Sequence, residues 1–135
     1  MPRGLGVVTL ATFALSACGS SGPALHGSAV TVGWSDKGRT VSVGRGARIV
    51  VELHNTYWRI RGSPDPSVVR QTGPERHAPA PVGKCVPGEG CGTVSASFRA
   101  VGRGTTHLRA GRKTCGEARL CTGGQGRYQV TIRVR

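Results

Sequence analysis

The chain is short of acid. Six Asp and Glu stand against nineteen Lys and Arg in 135 residues, a formal charge of +13. Paired carboxylates for acid–base hydrolysis therefore have little to draw on, and Asp36, Asp65, Glu75, Glu89 and Glu117 are scattered over turns and irregular sequence. Aromatics are also few. Trp34, Tyr57, Trp58, Phe98 and Tyr128 do not make the interleaved basic–aromatic stripe on which bases stack. No stretch keeps a helical period, and 22 glycines and 8 prolines oppose helices further. His26, His54, His77 and His107 form neither HExxH nor an HxH pair, and GxxxxGK[ST], GxSxG and CxxC are missing. Gly44-Arg45-Gly46 joins two strand-like runs, so it lacks the following helix that a dinucleotide turn requires. These absences point to a protein with no catalytic site and no cofactor.

No apolar run reaches the ~20 residues that a bilayer-spanning helix needs. The first residues carry one positive charge at Arg3, then GLGVVTLATFALSA (4–17) runs uncharged, the length of a signal-peptide apolar region. It closes on Leu15-Ser16-Ala17-Cys18, which resembles the lipobox of bacterial lipoproteins. The resemblance implies a signal peptide over 1–17, cleavage before Cys18, and a diacylglyceryl group on the Cys18 thiol. Each buried methylene then contributes about 0.8 kcal/mol, and more than one chain anchors stably. Residues 18–29, small, polar and Gly/Pro-bearing, read as a flexible tether, and 30–135 as one domain. The chain is thus expected outside the cell, lipid-anchored to the membrane and facing outward, away from intracellular nucleic acid. Its positive charge suits anionic headgroups or anionic envelope polymers as loose partners. A merely solvated basic surface is the other reading.

Within the domain the dominant signal is period-two alternation. Ile49, Val51 and Leu53 share one face of Arg48–His54. Tyr128, Val130, Ile132 and Val134 share one face of Arg127–Arg135. Val94–Ala100 alternates small or apolar residues with Ser95, Ser97 and Arg99. Ala29–Trp34, Thr40–Val43 and Thr105–Ala110 read as further strands, separated by Asp36-Lys37-Gly38, Gly44-Arg45-Gly46 and Gly102-Arg103-Gly104 turns. The expected fold class is all-β, an Ig-like sandwich of about seven short antiparallel strands. Ser63–Gly92, with six of the eight prolines, reads as a long irregular loop.

Four cysteines remain after Cys18, in CVPGEGC and CGEARLC. An even count in an exported chain reads as two disulfides. The simplest pairing is local, Cys85 with Cys91 and Cys115 with Cys121, but four cysteines allow three connectivities. Zinc is the competing use, and its ligand pairs are normally two to four residues apart, closer than these.

The order of these features resembles the chagasin-like cysteine-peptidase inhibitors. TVSVGRGARIVVEL followed by an aromatic-tipped turn resembles that family's opening. GEGCGTVSASFRAVGRGTTHLRAGRKTC resembles its later half, and RYQVTIRVR its last strand. The resemblance spans roughly 29–135. It implies an Ig-like sandwich whose three end loops wedge into the cleft of a papain-like cysteine peptidase. The first loop corresponds here to Asn55, Thr56 and Tyr57, without the family's Pro-Thr-Thr-Gly element. The second corresponds to Gly88, Glu89 and Gly90. The third keeps Arg112, with Lys113 and Thr114 where Pro and Trp belong.

In ELHNTYWRI (52–60), Tyr57 and Trp58 are adjacent and so face opposite ways in extended chain. Trp58 is expected to plug the core, with Tyr57 at the rim beside His54 and Asn55 or covered by the Pro-rich segment. Two functions follow. One is a lipid-anchored binding module, a peptidase inhibitor in its most concrete form, whose partner is a papain-like peptidase or another envelope protein. The other is a structural envelope lipoprotein that keeps the fold without inhibitory activity.

Overall fold

The computed structural model describes residues 27–135. The expected signal peptide, the lipidation residue Cys18 and the tether up to residue 26 lie outside the described residues. Nine strands are present: β1 Ala29–Val32, β2 Thr40–Val43, β3 Arg48–His54, β4 Arg59–Ile60, β5 Val69–Gln71, β6 Arg76–Pro79, β7 Gly92–Ala100, β8 Gly104–Gly111 and β9 Arg127–Val134. They form two sheets. One runs β1-β3-β7-β5, with β6 also paired to β7, and the other runs β2-β9-β8-β4. Helical backbone among the described residues is confined to two single 3-10 turns, Trp34–Asp36 and Gly123–Gly126.

The alternation in the sequence is the cause of this architecture. Ile49, Val51 and Leu53 of β3 and Val94, Ala96 and Phe98 of β7 face inward from the first sheet, all at 2% exposure or less. Leu108 and Ala110 of β8 and Tyr128, Val130 and Ile132 of β9 face them from the second. Shifting any of these strands by one residue would turn its apolar set to water, so burial fixes the register. Ile49, Phe98 and Ile132 are fully buried, and Trp58 closes the core from the end at 2% exposure.

The expected all-β Ig-like sandwich is therefore the fold, with nine strands where about seven were expected and with two parallel pairs among the antiparallel ones. β1 runs parallel to β3, and β2 parallel to β9. The reason is a crossing. After β1 the chain leaves the first sheet and descends as β2 on the edge of the second. It turns at Gly44–Ala47 and climbs back as β3 beside β1. Within the stretch read as irregular, β5 and β6 pair with opposite ends of the same edge of the nine-residue β7.

These directions bring one set of connections to a single pole. The ends of β1, β3, β6 and β8 and the starts of β4, β7 and β9 all lie there. So do the 3-10 turn at Trp34, the turn 54–58, the loop 80–91 and the loop 112–126. The opposite pole holds the tight turns around Arg45 and Arg103.

Candidate functional site

The turn after β3 is built on Asn55, whose φ of 99° places it in the left-handed region. Asparagine tolerates this because its short amide can bond locally, and here the Asn55 Oδ1 accepts the Tyr57 amide at 2.9 Å. The chain then swings inward. Trp58 enters the core and its Nε1 donates to the His54 carbonyl at 3.0 Å. Tyr57, half-buried, is left at the rim beside His54 and Asn55.

The three sequence-predicted residues of this turn reach directly onto the second loop. The Asn55 amide donates to the Glu89 carbonyl at 2.8 Å, and the Tyr57 hydroxyl to the Gly88 carbonyl at 2.6 Å. The Thr56 backbone amide and hydroxyl both donate to the Gly90 carbonyl, at 2.7 and 3.2 Å. Gly90 has φ +69°, and a Cβ there would stand 2.6 Å from the Tyr57 ring, so the contact needs glycine.

Both disulfides are local. Cys85–Cys91 clips the second loop and Cys115–Cys121 clips the third. Cys85, Glu89 and Cys91 lie close together, but both sulfurs are spent in a disulfide, so the cluster has no thiolate to offer zinc. The two clipped loops meet: the position a Cβ of Gly88 would take is 3.2 Å from Glu117 Cγ. Between them lies a cleft of about 550 Å³ lined by His54, Asn55, Glu89, Glu117 and Arg119.

Arg112 is held differently. Its guanidinium stacks over the Trp58 ring, 4.6 Å from the centroid, and its Nε donates to the Gln125 carbonyl at 3.4 Å. Burial lowers its pKa from the ordinary arginine value, and nearby Arg119 adds to the effect. Arg112 thus braces the core tryptophan from outside and also borders a second depression with Tyr57.

Sequence reasoning missed Trp34 as part of this face. Alternation places it at the end of a strand, whereas β1 stops at Val32 and Trp34 opens the 3-10 turn that follows. Its ring lies 5.8 Å from that of Trp58, Lys37 Nζ sits 4.4 Å over it, and 48% of the residue is exposed. Lys37 also donates to the Gly124 carbonyl at 2.7 Å, which ties this turn to the end of the third loop. The exposed large apolar residues among those described are Trp34, Val82, Val86 and Leu120. All four lie on the connections of the loop pole. Only the pairing of β1 beside β3 could have placed Trp34 there, and that pairing is not written in a local pattern.

A two-sheet sandwich presenting three converging loops at one pole has the architecture of the Ig-like, chagasin-like inhibitor fold. Among solved structures, the chain is similar to the cysteine protease inhibitor EhICP2 from Entamoeba histolytica, with a TM-score of 0.56 and 11% identity over 79% of this chain and 96% of that one. It is similar also to the solution structure of amebosin, with a TM-score of 0.55 and 11% identity over 81% and 100% of the two chains. At this identity the likeness is one of fold. No family model and no curated protein sequence matches the chain.

Proposed function

We propose that this chain is a non-catalytic binding protein of the cell envelope, held to the membrane by lipid on Cys18, whose loop pole seats in the cleft of a papain-like cysteine peptidase. One observation carries the reading. Trp34, Val82, Val86 and Leu120 are exposed on the same pole where the three candidate loops meet. Water-exposed apolar groups gathered at one rigid end are what a partner's desolvated cleft would cover. A standard interface buries about 800 Å² per partner, within reach of one end of such a sandwich. The similarity in fold to a cysteine protease inhibitor supports the choice of partner.

The expected outcome is that the purified chain slows a papain-like peptidase stoichiometrically, and that Trp34→Ala with Leu120→Ser relieves most of the effect. A second reading rests on a specific observation: Asn55, Thr56 and Tyr57 spend their polar groups on the second loop rather than presenting them. On that reading the protein is a structural envelope lipoprotein that keeps the fold without inhibition, and the peptidase is not slowed at micromolar chain. The anchor is tested separately. Metabolic labelling with palmitate should mark the wild-type chain and leave Cys18→Ser unlabelled. Equal labelling of both would remove the lipoprotein proposal.

A further inference from the structure

The second depression at the loop pole is built from positive charge. It has a volume of about 500 Å³, and its lining includes Arg59, Arg61, Arg112, Lys113 and Arg127 without a carboxylate. The register of the second sheet explains how it arises. Gly111 on β8 pairs with Arg59 of β4 on one side and with Arg127 of β9 on the other. Ala110 and Tyr128 beside them point into the core, so these three positions face outward. Strands lie about 4.8 Å apart, which sets the roots of the two arginines ~10 Å from each other with no side chain between them. The floor is open, since a Cβ on Gly111 would come no closer to its neighbours than 3.7 Å. Arg112 and Lys113 close one side and Arg61 extends the other.

Among the described residues no carboxylate pairs with this group. The one ion pair among the described residues is His77 with Glu75. Asp36, Asp65 and Glu75 instead accept backbone amides, of Gly33, Ser67 and Ile60. Glu89 and Glu117 line the other cleft. The Arg59 Nη1 donates to the Thr56 and Trp58 carbonyls, and Arg112 rests on the Trp58 ring and the Gln125 carbonyl, contacts that hold the guanidinium groups in place without balancing their charge. Cations held around one hollow repel one another unless an anion enters. Four of the five are arginines, whose planar guanidinium matches oxyanions through paired N–H donors. A single carboxylate would balance little of this charge, whereas a phosphoryl group brings more charge and three or more acceptor oxygens.

We propose that the hollow over Gly111 is a binding site for phosphoryl groups, held between Arg59 and Arg127 and completed by Arg61, Arg112 and Lys113. The site lies on the flank of the loop pole, and the inference does not depend on the peptidase reading. Phosphate of this kind reaches an exported chain either in solution or as a lipid headgroup, and the chemistry recognised is the same.

Calorimetric titration of the full chain with inorganic pyrophosphate, with no peptidase present, tests it. Saturable binding at one site is expected. Gly111→Val keeps every charge but fills the floor, and it should weaken binding by about tenfold or more. Arg61→Ala with Arg127→Ala should do the same, and this pair keeps the test valid should Gly111→Val misfold. Arg45→Ala with Arg103→Ala removes equal charge at the opposite pole and should leave affinity within about twofold. Displacement of pyrophosphate by phosphatidylglycerol vesicles, but not by phosphatidylcholine vesicles, would assign the site to headgroup phosphate. Displacement by neither would assign it to phosphate in solution. The proposal is overturned if pyrophosphate does not saturate, if folded Gly111→Val binds as well as wild type, or if the distant pair loses as much as the local one.

Discussion

At the scale of single residues, the core is apolar with one polar atom left over. The Tyr128 hydroxyl is buried and has no hydrogen-bond partner among the described residues. Burial raises its pKa from the ordinary tyrosine value, and the charge of Asp36 raises it further. A buried hydroxyl without a partner costs about 1–3 kcal/mol. Tyr128→Phe deletes that oxygen and keeps the ring in its place, so we expect the variant to be more stable by about 1 kcal/mol. Urea unfolding followed by tryptophan fluorescence reads it directly, and a loss of similar size would show that the hydroxyl is bonded in solution. The neighbouring residues show what a sequence carries at this scale. Trp58 could be placed in the core because an adjacent pair in extended chain must split between inside and outside. Trp34 could not be placed at the same pole, because its position depends on which strand β1 joins.

At the scale of elements, legibility follows burial. β3, β7 and β9 each have an apolar inner face and a polar outer one, and alternation alone predicted them. β4 has two residues, too few to show a period. β6 has no buried residue at all, and its Pro79 is tolerated because β6 pairs on one side only. β5 buries Val69 alone. These three strands exist because β4 lies against β8, and β5 and β6 against β7, a long-range condition that leaves no mark in their own residues. The same holds for the candidate face. Asn55, Thr56, Tyr57 and the Gly88-Glu89-Gly90 loop were readable as separate loops through family resemblance. Their mutual hydrogen bonds come from β3 and β7 being neighbours, which puts residue 55 against residue 92. The hollow over Gly111 was hidden for a related reason. Its arginines come from β4, β9 and the third loop, and only the sheet register collects them around a glycine.

At the scale of the whole molecule, stability and binding are divided between two regions. The sandwich is held by side chains facing one another across two sheets, and neither disulfide crosses between the sheets. Each clip closes a loop between cysteines six positions apart, and both clips lie at the loop pole. Loops this short contribute about 2 kcal/mol each by restricting the unfolded chain. Replacing Cys85, Cys91, Cys115 and Cys121 with serine should therefore lower stability by about 2–5 kcal/mol and leave the fold intact. The expected record is a retained β-sheet circular-dichroism spectrum and a single cooperative unfolding transition. Amide exchange should quicken over 80–91 and 112–126, while β3, β7 and β9 stay protected. Binding divides further along the same boundary. Docking that relies on Val86 and Leu120 should weaken sharply, because both lie inside the clipped loops. Pyrophosphate binding should fall less, because Arg59, Gly111 and Arg127 sit on paired strands outside the clips. Loss of the cooperative transition in the serine variant would show instead that the loop pole is part of what holds the sheets together, and the division between scaffold and binding face would fail.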